Sequence, residues 1–211
     1  MNIHTPILYL HGFASGPGSS KAAYFARFLG AAGLAVEIPD LAAGNFEHLT
    51  LNGQLGVIAR ASTGRKVSLI GSSMGGYLAA LHAARHPDAV DRVVLLAPAF
   101  GFGRRWRTHL GEAALQRWRE TGRMQVFHYG ENRVMNLGYQ LLEDADRYED
   151  FPSFLHPTLI FHGSQDDVVP PRYSEEFARG RPKVRLEILE SGHELTDQLE
   201  YLAPRTLEFL R

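Results

Sequence analysis

The sequence predicts an α/β protein, a mostly parallel sheet of about six strands flanked by helices, built as one domain over 1–211. Three observations predict it. Six short β-rich runs alternate with longer stretches of helical period. Runs such as Val93 to Leu96 are continuously apolar, which suits a sheet covered on both faces, because a strand with one wet face alternates polar and apolar residues. The rhythm then breaks once, from about Phe100 to Asp150, where roughly fifty residues replace the ~2 to 6 that such a connection needs. That stretch is read as a small helical lid insertion at about 101–150.

The first strand is expected at Ile7 to Leu10 and the second at Leu34 to Ile38. Between them Ser19 or Ser20 caps a helix whose Tyr24, Phe25, Phe28 and Leu29 recur on one face, and Gly33 lies where a helix C-terminus favours a left-handed residue. Leu51, Leu55 and Ile58 repeat the helical period before a third strand at Val67 to Ile70. The alanine-rich helix from Met74 to Arg85 stops at His86-Pro87, since proline disfavours a further turn before it. Further strands follow at Val93 to Leu96, Thr158 to Phe161 and Val184 to Leu189, and Leu195 to Leu210 closes the chain as a helix. The insertion is rich in arginine and aromatics, among them Arg104, Arg105, Trp106, Arg107, Trp118, Phe127, Tyr129 and Tyr139, with helical stretches such as Glu112 to Glu120.

Composition excludes several classes of function. With 22 basic and 23 acidic side chains the chain exerts no net pull on a polyanion, so nucleic acid is not an expected partner. The absence of cysteine rules out disulfides, thiolate zinc sites and a cysteine nucleophile. Met1 to Pro6 carries neither a basic leader nor an apolar signal core, and the longest apolar runs fall far below the ~20 residues of a membrane span. The expectation is a cytoplasmic protein with a small-molecule partner, no membrane span and no cofactor.

Chemistry enters after the third strand. Gly71-Ser72-Ser73-Met74-Gly75-Gly76 fits G-x-S-x-G with Ser73 at its centre and runs directly into a helix. Such a serine sits on a strained strand-to-helix turn, where a β-carbon at either glycine would crowd the turn and the approaching substrate. Ser72 does not fit the same register, because the position two before it is Ile70. Serine at its free pKa is a poor nucleophile, so a base and a carboxylate that orients the base are needed. His162, Asp166 and Asp167 follow the strand that starts at Thr158, and His193 follows the strand that starts at Val184. In a parallel sheet these strand ends share the edge where ligands bind.

The order Ser73, Asp166, His193 with a nucleophile elbow resembles the α/β hydrolase superfamily, and compact bacterial esterases within it. His11-Gly12-Phe13 resembles that family's oxyanion loop, His162 to Pro170 its acid loop and Gly192-His193 its histidine loop. The chain begins at the strand before His11, so the extra N-terminal strands of larger members are expected to be missing. The resemblance implies a serine carboxylesterase-like enzyme with Ser73, Asp166 and His193 as catalytic triad. It further implies an oxyanion hole from the backbone N–H groups of Phe13 and Met74, each worth ~2.7 to 4 kcal/mol, and a substrate-facing loop at His11 and Gly12. The family's spacing of three from Gly163 selects Asp166 over Asp167.

Other readings are weaker. His11 and His162 each precede a glycine in a turn and suit structural roles. A metal site from His162, Asp166, Asp167 and His193 lacks ligand spacing such as H-E-x-x-H, so no metal is expected. The insertion's eight arginines are balanced by eight acidic residues, which favours surface pairing over anion binding. Trp106, Trp118 and Tyr139 suit the core of the lid, although the insertion's aromatics as a group suggest an apolar acyl pocket. The same triad would also serve a thioesterase or a serine peptidase, and a binding protein that kept the fold without catalysis is the alternative of another class.

Overall fold

The computed structural model describes residues 5–211, so the reading of Met1 to His4 as free of a leader lies outside the described residues. The first strand, β1 (Ile7–Leu10), leads into α1 (Ser20–Ala31), and the edge strand β2 (Val36–Glu37) into α2 (Leu51–Ala61). Then come β3 (Val67–Ser72), α3 (Met74–Arg85) and β4 (Val90–Leu96). The interval before the next sheet strand holds α4 (Phe102–Thr121), β5 (Arg123–His128), β6 (Arg133–Gly138) and α5 (Gln140–Ala145). The chain ends with β7 (Thr158–Gly163), α6 (Arg172–Ala178), β8 (Val184–Leu189) and α7 (Leu199–Leu210). Among the described residues, six strands form one parallel sheet in the order β2-β1-β3-β4-β7-β8.

Alternation along each strand sorts the apolar residues into two cores. Ile7, Tyr9, Val94, Leu96, Leu159 and Phe161 pack with Phe25 and Leu29 of α1 and Leu202 of α7 on one face. Leu8, Leu10, Val93, Leu95 and Ile160 face the opposite side, toward α2, α3 and the insertion. Burying such a side chain is worth roughly 1.5–3 kcal/mol, so both faces must be covered for the sheet to persist. Ser19 and Thr50 start α1 and α2 by accepting from Ala22 N–H and Gly53 N–H, caps worth about 1 kcal/mol each.

The structure departs from the sequence reading in four places. The second strand is shorter than Leu34 to Ile38, because it pairs with β1 through Val36 and Glu37 and runs into Pro39, which has no N–H to donate. Helix α6 was not foreseen. The closing helix starts late, since Leu195 has a left-handed φ of 54° and Thr196–Gln198 form a 3-10 turn before Leu199. The insertion is not wholly helical: β5 and β6 pair antiparallel from Arg123 opposite Gly138 to His128 opposite Arg133. Met124 and Val126 alternate with polar neighbours at the strand period, and Asn132 turns the chain at a φ of 50°. Helix α4 is broken at Gly111, where φ is 72°. Trp118 is buried and donates to Leu137 O at 3.0 Å, tying α4 to the hairpin. Among the described residues no helix is long and apolar enough to cross a membrane.

The pairing Leu10↔Gly71, Gly71↔Leu95, Leu95↔Ile160 and Ile160↔Leu186 aligns the C-terminal ends of five strands along one edge. Every loop named as chemical from the sequence leaves from that edge.

Candidate active site

Ser73 is the hinge between β3 and α3. Its φ of 53° and ψ of −115° lie where a side chain costs about 1–3 kcal/mol, so neighbouring bonds must hold it there. They do: Ser73 N–H donates to Leu96 O at 2.8 Å, and Ser73 O accepts from Ala99 N–H at 2.9 Å and Tyr77 N–H at 3.1 Å. The turn also brings α3 against β1. A β-carbon on Gly75 would stand 2.1 Å from Leu10 O, which explains the second glycine of the motif.

The loop after β8 presents His193 to this serine. Ser73 Oγ lies 2.9 Å from His193 Nε2, and His193 Nδ1 lies 2.7 Å from Asp166 Oδ2 in the loop after β7. Because the carboxylate accepts, Nδ1 carries the proton and Nε2 is left to accept from the serine hydroxyl. The Asp166 side chain is fully buried and faces four donors. Val168 N–H (2.9 Å) and Val169 N–H (2.7 Å) meet Oδ1, while His193 Nδ1 and His162 Nε2 (3.0 Å) meet Oδ2. Burial alone would raise the pKa of this carboxyl, but the bonds from His162, His193 and Val169 outweigh burial and hold it well below the usual carboxylate range. Asp167 beside it is exposed.

His162 is completely buried. Its Nε2 faces two acceptors, Val169 O at 2.7 Å and the Asp166 carboxylate, so it bears the proton, and Nδ1 accepts from Ser174 Oγ at 2.7 Å. It braces the acid and does not reach the serine. His11 is also spent on structure: Nε2 accepts from Leu41 N–H at 3.2 Å, Nδ1 meets Gly12 O at 3.0 Å, and burial pushes its pKa down. With these side chains already engaged, His162 and Asp166 are not free to hold a metal. Among the described residues, no group of three His, Asp or Glu side chains is arranged to hold one. Among the described residues the Phe13 and Met74 N–H groups donate to no protein acceptor, and Met74 N–H opens helix α3 at its positive end.

A groove of about 910 Å³ runs past Ser73 and His193 between Phe13, Phe46 and the β5–β6 hairpin. The insertion's large aromatics are mostly committed elsewhere. Trp106 packs at 5.1 Å against Phe13 and at 5.9 Å against Trp118, and Trp118 meets Tyr139 at 5.3 Å. Three of the arginines are likewise engaged, Arg104 with Asp150, Arg107 with Asp146 and Arg105 with the Phe100 and Val168 carbonyls. Sequence reasoning missed Lys21, Tyr9 and the role of Ser72. All three line the groove, and the buried Lys21 Nζ donates to Ser72 Oγ at 3.2 Å. A signal for Lys21 existed: its spacing of four from Phe25 and eight from Leu29 puts it on the buried stripe of α1.

Solved structures with the same architecture include the alpha/beta hydrolase domain-containing protein 10 from mouse, 19% identical with a TM-score of 0.81 over 97% of this chain and 89% of that one. Est1E from Butyrivibrio proteoclasticus is 22% identical, with a TM-score of 0.78 over 98% and 87%. A monoacylglycerol lipase from Paleococcus ferrophilus is 18% identical, with a TM-score of 0.76 over 98% and 95%. At such identities the likeness is one of fold, and the fold is that of the α/β hydrolases. No curated protein matches the chain. The family described as "Uncharacterised protein family (UPF0227)" matches residues 6–210.

Proposed function

The chain belongs to the uncharacterised protein family UPF0227, and from the chemistry of its own site we propose that it is a serine hydrolase that cleaves carboxylic esters through an acyl-enzyme. The observation that carries this reading is the unbroken relay Ser73 Oγ, His193 Nε2, His193 Nδ1, Asp166 Oδ2, with each tautomer set by its neighbour. Ser73 Oγ attacks the carbonyl carbon as its proton passes to His193 Nε2. The new charge on the carbonyl oxygen is met by the Met74 and Phe13 N–H groups. Collapse of the tetrahedral intermediate expels the alcohol, which takes the proton back from His193. Water repeats the sequence on the acyl-Ser73 ester and frees the acid. Asp166 stays ionised throughout, holding the imidazole and stabilising its cation.

The elements between β4 and β7 act as a lid in this reading, because Tyr129, Gly130, Glu131 and Met135 of the hairpin line the groove. The test is stoichiometric labelling by a fluorophosphonate probe, located by mass spectrometry, together with turnover of p-nitrophenyl butyrate. Both activities are expected in the wild type and neither in Ser73→Ala. A Ser73→Ala protein that still turns over the ester defeats the proposal.

A further inference from the structure

The groove has a second polar centre that the acyl-transfer steps leave unused. Lys21 Nζ is buried, and besides Ser72 Oγ its only counter-charge contact among the described residues is Glu194 Oε2 at 3.7 Å, on a side chain 74% exposed. An ion pair so long and so open to water contributes little. The Tyr9 hydroxyl lies in the same wall. It is wholly buried, near Ser72, and without a hydrogen-bond partner among the described residues.

Lys21, Tyr9 and Ser72 thus offer five N–H and O–H donors, of which Lys21 to Ser72 is the one paired. Ser19 and Ser20, at the start of α1, line the groove beside them, so the positive end of that helix opens onto it as well. A buried cation and an orphaned hydroxyl each cost stability unless an acceptor reaches them. Burial pushes the Lys21 pKa down while Glu194 and Asp166 push it up, so a bound anion would relieve the same strain from a better position. Among the described residues no carboxylate is hydrogen-bonded to Lys21 Nζ or to the Tyr9 hydroxyl, Glu194 standing off at 3.7 Å.

We infer that Lys21, Tyr9 and Ser72 form a subsite for a carboxylate on the substrate, which makes the preferred substrate a monoester of a dicarboxylic acid with the scissile carbonyl at Ser73 and the free acid at Lys21. The inference rests on ester cleavage at Ser73. It accounts for a groove in which a buried cation bonds the residue next to the nucleophile while Arg104, Arg105 and Arg107 of the insertion are occupied by acids and carbonyls and Arg133, the insertion's arginine on the groove, is exposed beside Glu131.

The experiment compares mono-p-nitrophenyl esters of the diacids from glutarate to suberate with their methyl-capped counterparts, in wild type, Lys21→Met and Tyr9→Phe. The wild type is expected to favour the free acid by about tenfold or more at one chain length, the size of effect one charge-assisted hydrogen bond confers. Lys21→Met should abolish that preference. Tyr9→Phe removes an unpaired hydroxyl from the core, so it should fold at least as well and still weaken the preference about threefold. Capped esters cleaved as well as acids at every length would refute the subsite and leave ester cleavage standing. Equal loss on both substrates in Lys21→Met would also refute it, and would make Lys21 a structural tie between the elbow and Glu194. Binding gives an answer independent of turnover: monomethyl adipate should raise the melting temperature of wild type and not of Lys21→Met, and no rise in either refutes the subsite even if no ester is cleaved.

Discussion

Replacing Asp166 by asparagine tests the relay without changing its shape. One oxygen of Asp166 accepts from Val168 and Val169 N–H, the other from His193 Nδ1 and His162 Nε2, so every direction around the carboxylate is occupied by a donor. An amide has one acceptor and one NH2. Turning the NH2 toward the two backbone N–H groups sets donor against donor where nothing can move. The NH2 therefore turns toward the histidines, where His193 answers by shifting its proton from Nδ1 to Nε2. Nε2, 2.9 Å from Ser73 Oγ, is then a donor and no longer takes the serine proton. The same change in a serine protease with a Ser-His-Asp triad lowers kcat about 10⁴-fold, or about 5 kcal/mol of transition-state stabilisation at 1.36 kcal/mol per tenfold. The assay is kcat on p-nitrophenyl butyrate across pH, with circular dichroism to show that the variant is folded. Folded Asp166→Asn with more than about a tenth of wild-type kcat would refute the tautomer argument, since the loss expected is near 10⁴-fold.

Two further outcomes follow from packing and burial. Gly163→Ala should cost more than about 3 kcal/mol in urea unfolding, because its β-carbon would meet Ser191 O at 2.3 Å between the acid and histidine loops, whereas Gly192→Ala, with open space around it, should fold like wild type; equal midpoints for the two contradict the close approach. His82 is buried with Nδ1 unpartnered among the described residues, and burial, with His86 alongside, pushes its pKa down to about 4. The unfolded chain protonates this group first, so its contribution is complete above pH ~6.5 and fades as pH falls toward 4, by about 2.5 kcal/mol at pH 4.5; His82→Gln should lose that much less stability between pH 7 and 4.5, and an unchanged pH dependence would contradict the assignment.

What the sequence made legible was whatever repeats or is punctuated. The strands Ile7–Leu10 and Val184–Leu189 and the helix Met74–Arg85 sit where periodicity and the His86-Pro87 stop place them. The positions of Ser73, Asp166 and His193 could be anticipated because each is tied to a short loop with few backbone solutions. The hairpin in the insertion was not legible in the same way: it is short, lies beside a long helix, and its alternation shows in a handful of residues. Helix α6 has seven residues, too few for a period to stand out. Lys21 was overlooked for a different reason. A lysine near a helix start is ordinarily solvated, so composition argued against the burial that its spacing from Phe25 and Leu29 implied.

Several positions that break local rules stand together at one edge of the sheet. Away from it, the strands divide their apolar residues between the two faces with few polar intrusions. At the edge stand a serine with a strained backbone, a buried carboxylate with four donors, a buried lysine and an unpaired tyrosine hydroxyl. The strained serine, the buried lysine and the unpaired hydroxyl are unfavourable for folding alone, and such features persist where a ligand or a reaction makes use of them. In the proposed reaction Ser73 and Asp166 have such a use, since a serine lifted off a tight turn and a histidine fixed in one tautomer need no rearrangement when charge develops. Lys21 and Tyr9 have no such use in acyl transfer itself. In the carboxylate subsite proposed above they serve the part of the substrate that does not react.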